Sequence, residues 1–125
     1  MKRKILVFDD KDGIAGVVAS IFSESETFEV IVPESHYKGI ALLQKTLFSI
    51  IVSDFEMPVM SGQEFLNEVR NENCPNREIP IVFVTEKSKE AKESAQGAPK
   101  VYVTEKPIII SELMILLKKA TGEGF

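Results

Sequence analysis

The chain has 125 residues, of which 44% are apolar, with one cysteine and a formal net charge of −4. That is the length of one ordinary domain with a core of its own, which rules out a disordered tail. The acidic balance argues against direct nucleic acid binding, and the apolar runs are too short for a membrane span.

Met1-Lys2-Arg3-Lys4 leads straight into a strand and has no signal-peptide pattern. With a single thiol, Cys74, no internal disulfide forms, and a cytoplasmic setting is expected. Residues 4–8 (Lys-Ile-Leu-Val-Phe) predict a central strand, followed by the acidic loop Asp9-Asp10-Lys11-Asp12-Gly13. Ile14, Val17, Val18, Ile21 and Phe22 recur at helical spacing and predict a helix over 14–22. Residues 28–32 read as a second strand, ended by Pro33, and 37–47 as a helix carrying Ile40, Leu43 and Leu47. The run Ile50-Ile51-Val52 reads as a buried strand over 49–54 that meets a carboxylate, Asp54, where it ends. Met57-Pro58 and Ser61-Gly62 are loop residues before a third helix over 63–72.

Residues 71–77 read as a polar turn in which Cys74 is incidental. A fourth strand spans 79–85, with Pro80 tolerated only near its beginning. Residues 88–96 offer only Ala91 and Ala95 for packing, so a helix there packs thinly. A fifth strand spans 101–104, Pro107 ends the following loop, and the last helix covers 110–120. We therefore expect one domain over 1–121, a frayed tail over 122–125 and no output domain within these residues.

Strand and helix alternate five times. This argues for an α/β fold, a five-stranded parallel sheet with helices on both faces, for which the flavodoxin-like order 2-1-3-4-5 is common. In that order the ends of strands one and three are neighbours, and Asp9, Asp10 and Asp54 converge. Converging carboxylates repel unless a cation lies between them, and an all-oxygen set suits Mg2+. One carboxylate is then available as the nucleophile in phosphoryl transfer. The incoming group needs positive charge and a hydroxyl, which Lys106 and Thr85 supply from the last two strand ends.

Phe8-Asp9-Asp10, Asp54 with Met57-Pro58 and Ser61-Gly62, Val84-Thr85 and Lys106-Pro107 together resemble the receiver domains of two-component response regulators. The resemblance implies that Asp54 accepts phosphate from a sensor histidine kinase or phosphotransfer protein. It implies that Asp9 and Asp10 hold Mg2+ with Asp54 and the backbone carbonyl of Glu56, and that Thr85 and Lys106 contact the phosphoryl oxygens. A downstream protein target or output domain would read the face made by helix four, strand five and helix five. Such a protein is a signalling phosphoacceptor and not an enzyme. Glu86 stands where receivers usually carry a small residue, and Val103 where they usually carry an aromatic, with Tyr102 on the opposite face of the strand.

Two other readings use the same residues. A degenerate receiver would be a constitutive interaction module, with Glu56 and Glu86 making its pocket more negative. A haloacid-dehalogenase-type phosphatase would use Asp10 of Asp10-Lys11-Asp12-Gly13 as nucleophile, but it leaves Asp54 unexplained. His36 reads as a solvated loop residue. Ile108, Ile109, Ile110, Met114 and Ile115 exceed the core stripe of Leu113, Leu116, Leu117 and Ala120, and suggest a homodimer or partner surface on helix five.

Overall fold

Successive side chains of a strand point to opposite faces, so an all-apolar strand needs cover on both. The computed structural model, which describes residues 2–8 and 13–123, supplies that cover. Its strands are β1 (Arg3–Val7), β2 (Phe28–Ile31), β3 (Ile50–Ser53), β4 (Ile81–Thr85) and β5 (Val101–Glu105). The helices between and after them are α1 (Ile14–Ile21), α2 (His36–Leu42), α3 (Gly62–Arg70), α4 (Ser88–Ala95) and α5 (Ile110–Thr121). All neighbouring strands are parallel, in the order β2-β1-β3-β4-β5, as the alternation predicts.

Leu6, Ile51, Ile81 and Phe83 face one way and pack with Phe65, Leu66 and Val69 of α3 and Ala91 of α4. Ile5, Val7, Ile50, Val52, Val82 and Val84 face the other way, against Ile14 and Val18 of α1 and Leu113 and Leu117 of α5. The same alternation separates Val103, on the α3–α4 side, from Tyr102, on the α1–α5 side.

The second helix is shorter than its apolar spacing predicts. It stops at Leu42, and Leu47 is left 73% exposed. The cause is a side chain far along the sequence. Asn76 Nδ2 donates to the carbonyls of Leu43 (2.7 Å) and Thr46 (2.8 Å), and its Oδ1 accepts the Phe48 N–H at 2.8 Å. Those bonds fix the chain after Leu42 in a turn that leads into β3. Cys74 is not incidental either. It is buried in the core beside α3, and its thiol donates to the Leu43 carbonyl at 3.7 Å.

Asn76 thus satisfies three backbone groups that have little access to water. Asn76→Ala should destabilise the fold by about 2–3 kcal/mol, the cost of leaving such groups unpaired. Urea unfolding would check this, and a midpoint equal to that of the unmodified chain would contradict it.

Candidate functional site

β3 runs buried until Ser53, and the first residue beyond it, Asp54, emerges at the carboxyl edge of the sheet. The loop after it is folded back on itself. Glu56 and Ser61 form an isolated antiparallel bridge. Ser61 then caps α3 in a reciprocal box: its hydroxyl accepts the Glu64 N–H at 3.1 Å, while Glu64 Oε1 accepts the Ser61 N–H at 3.2 Å. That geometry turns the Glu56 N–H onto Asp54 Oδ1 at 3.0 Å.

Lys106 directly follows β5, and its ammonium donates to Asp54 Oδ2 at 2.7 Å. The lysine side chain is 6% exposed and the aspartate side chain 15%. Thr85 ends β4 and is fully buried. Its carbonyl accepts the Lys106 N–H at 3.0 Å, so the ends of β4 and β5 are tied together at this edge. Asp54, Thr85, Lys106 and Glu56 are therefore brought together. Asp9 and Asp10 lie outside the described residues. Phe8, the last described residue before them, donates its N–H to the Val52 carbonyl at 3.0 Å, which sets the end of β1 beside that of β3.

The electrostatics favour an ionised Asp54 carboxylate. Burial pushes the Asp54 carboxyl upward. The hydrogen bonds from Lys106, the Glu56 N–H and the Thr85 hydroxyl, with the charge of Lys106, outweigh burial and hold it below the usual carboxylate range. An anionic oxygen faces an ammonium and a hydroxyl at the mouth of a parallel sheet. Such an arrangement suits attack on an electrophilic phosphorus, with the cation and hydroxyl ready to take up the charge of the transferred group.

Sequence reasoning missed Lys87. Its ammonium lies 3.7 Å from Glu56 Oε1, and its N–H donates to Thr85 Oγ1 at 3.0 Å. The extra negative charge expected from Glu56 is thus partly matched at the surface. Glu86 is solvent-exposed, in a recess that it lines with Val17, Lys106, Pro107 and Ile108. His36 is not a solvated loop residue: it opens α2, and its ring lies 5.6 Å from that of Phe8. No local pattern marks Lys87, because the carboxylate it meets, Glu56, sits on a different loop.

Comparison with known proteins gives one consistent result. Residues 5–118 match the response regulator receiver domain family. A response regulator receiver protein of Anaeromyxobacter is 29% identical over 114 residues, which cover 91% of this chain and 47% of that protein. A protein-glutamate methylesterase/protein-glutamine glutaminase of Halalkalibacterium halodurans is 32% identical over 96 residues, 76% of this chain and 27% of that protein. The chain thus spans less than half the length of these curated relatives. The chemotaxis response regulator CheY4 of Vibrio cholerae superposes with a TM-score of 0.79 at 28% identity, over 96% of this chain and 99% of that one.

Proposed function

The chain belongs to the response regulator receiver domain family, and on that premise we propose that Asp54 is its phosphoacceptor. The observation that carries the reading is the 2.7 Å contact between Lys106 Nζ and Asp54 Oδ2 at the carboxyl edge of the sheet. The donor is a phosphohistidine of a sensor kinase or phosphotransfer protein. An Asp54 oxygen attacks the phosphorus, the P–N bond breaks, and the imidazole leaves with its electron pair. Lys106 then turns from the carboxylate to a phosphoryl oxygen, and the Thr85 hydroxyl donates to another.

The oxygen-only donor set at these strand ends fits Mg2+, which takes one or two carboxylates with waters and phosphate oxygens. Among the described residues no cluster of three metal-ligating side chains occurs, so the fit depends on Asp9 and Asp10. In this reading Asp9, Asp10, Asp54 and the Glu56 carbonyl hold the ion. When bound, it offsets negative charge on the transferred group.

The test is incubation with Mg2+ and acetyl phosphate, followed by intact mass and peptide mapping. We expect one phosphoryl group, located on Asp54. No adduct with any donor would favour a constitutive interaction module instead. An adduct on Asp10 with turnover of a phosphate ester would favour the phosphatase chemistry.

The signal leaves through the face of α4, β5 and α5, toward a downstream target or output domain. Three isoleucines there meet solvent: Ile109, Ile110 and Ile115 are 49%, 54% and 61% exposed. Ile108, by contrast, packs against the α1–α5 core. Ile115→Glu should leave thermal unfolding within about 0.5 kcal/mol of the unmodified chain, as surface changes usually do. It should weaken self-association or partner binding through α5. Sedimentation velocity across a concentration series, with and without acetyl phosphate, checks this. Unchanged association in both conditions would remove α5 from the interface.

A further inference from the structure

The first turn of α4 is held by β5 and not by a cap of its own. Lys87 occupies the N-cap position and makes no side-chain cap hydrogen bond. Helix starts usually rely on such a bond to satisfy their free N–H groups. Ser88 and Ala91 are the buried side chains of α4, so this helix has little apolar anchorage. Ser88 is only 7% exposed, and its hydroxyl donates to Glu105 Oε1 at 2.5 Å. That carboxylate at the helix start also complements the positive end of the helix dipole.

Glu105 pairs with Thr85 across the β4–β5 ladder. The next residue is Lys106, which holds Asp54. Thr85 in turn accepts the Lys87 N–H on its hydroxyl oxygen. Both groups that would meet a phosphoryl group on Asp54 are therefore one link away from the first turn of α4. Thr85 reaches it through Lys87, and Lys106 reaches it through Glu105.

We propose that the Ser88–Glu105 hydrogen bond is a latch through which the state of Asp54 sets the order of α4, an inference that rests on the phosphoacceptor reading above. Phosphorylation converts one Asp54 oxygen to an acyl phosphate oxygen and replaces the carboxylate's single negative charge with a phosphoryl group that carries roughly two, on three strong acceptors. Lys106 and Thr85 re-aim toward those acceptors. The end of β5 moves with Lys106 and draws Glu105 off Ser88. With neither a cap nor a wide apolar face, α4 then loosens from its first turn onward. A partner that reads the α4–β5 surface would sense that change.

The test uses the full chain with Ser88→Ala, Glu105→Ala and both together, and reads amide hydrogen exchange in peptides spanning 87–95. Mg2+ with acetyl phosphate is the stimulus, intact mass reports the adduct, and α3 peptides report the fold. In the unmodified chain, exchange over 87–95 should rise on phosphorylation. Without phosphorylation, each single variant should already exchange about tenfold faster there, as loss of a charge-assisted bond predicts. The double variant should be no faster than either single one, and phosphorylation should add little to any of them. Glu105→Gln, which keeps an acceptor, should restore slow exchange. Single variants that exchange like the unmodified chain, or that keep its full response to phosphorylation, would overturn the latch. If the unmodified chain takes no adduct, the phosphoacceptor reading fails and takes the latch's link to Asp54 with it. Exchange in the unphosphorylated variants then shows whether the bond holds α4 at all.

Discussion

Asp54→Asn is expected to take up no phosphoryl group from acetyl phosphate under conditions in which the unmodified chain is fully labelled. The amide is close to the carboxylate in shape, and its oxygen can still accept the Glu56 N–H now bound to Oδ1. What it lacks is the anion. The proposed nucleophile is gone, and so is the charge that holds the Lys106 ammonium at 2.7 Å. The loss should be complete, because the neutral amide offers no anionic oxygen for attack on phosphorus. The substitution should also change the response to acid, and the sign follows from the direction of the Asp54 shift. Its carboxyl is held below the ordinary range in the folded chain. The stability that its ionisation contributes is therefore full above the ordinary carboxylate pKa, and it is lost as pH falls through the lowered folded value. Asparagine does not titrate there, so the variant should lose stability less steeply across that acid window. Thermal unfolding over a pH series would measure the difference. Parallel curves would mean that the Asp54–Lys106 pair does not contribute to acid sensitivity.

The parts of the molecule that were legible in the sequence are those written in local patterns. Short β-rich runs separated by helical spacing gave the parallel sheet and its order, since buried parallel strands are apolar on both faces. Asp54, Thr85 and Lys106 were legible because each stands at a strand end, and the topology gathers strand ends at one edge. What stayed hidden depends on partners distant in the chain. Asn76 ends α2 from 33 residues beyond Leu43, and no propensity of residues 37–47 carries that information. Cys74 sits in a polar stretch yet is buried, because the turn around Asn76 folds it inward. Lys87 and Glu105 look like ordinary surface charges until the loops place them against Glu56 and Ser88. In each case a polar side chain meets a backbone or polar group on another element, and binary patterning is silent about such bonds.

Gly62→Ala is expected to be the most destabilising single-methyl change near the site, and glycine geometry explains why. A Cβ on Gly62 would lie 2.2 Å from Phe55 Cδ1, and 2.5 Å from both Phe55 Cε1 and the Phe55 carbonyl oxygen. Carbon atoms in contact sit at roughly 3.5–4.0 Å, so ring and backbone would both have to retreat. The ring has little room, for it packs edge-on against Phe83 at 5.2 Å within the core. Overpacking of this kind costs about 3 kcal/mol, the upper end of its usual range. For a chain of this size that corresponds to a fall in Tm of about 10–15 °C. Gly39→Ala should cost less. Its Cβ would meet Phe8 at 2.4 and 2.8 Å and Pro33 Cγ at 2.9 Å, all of them side-chain atoms. Gly16→Ala is the opposite case: nothing lies within 4 Å of its Cβ, and it sits inside α1. It should stabilise by about 0.5–1 kcal/mol through helix propensity and a less flexible unfolded chain. The cost at Gly62 should also reach the site, because Phe55 lies between Asp54 and the Glu56 N–H that orients it. Phosphorylation of Gly62→Ala should therefore be slower even at temperatures where it is fully folded. Calorimetry on the three variants, with labelling rates for Gly62→Ala, separates these expectations. A Gly62→Ala protein with unchanged Tm and labelling rate would show that the Phe55 loop does not position Asp54.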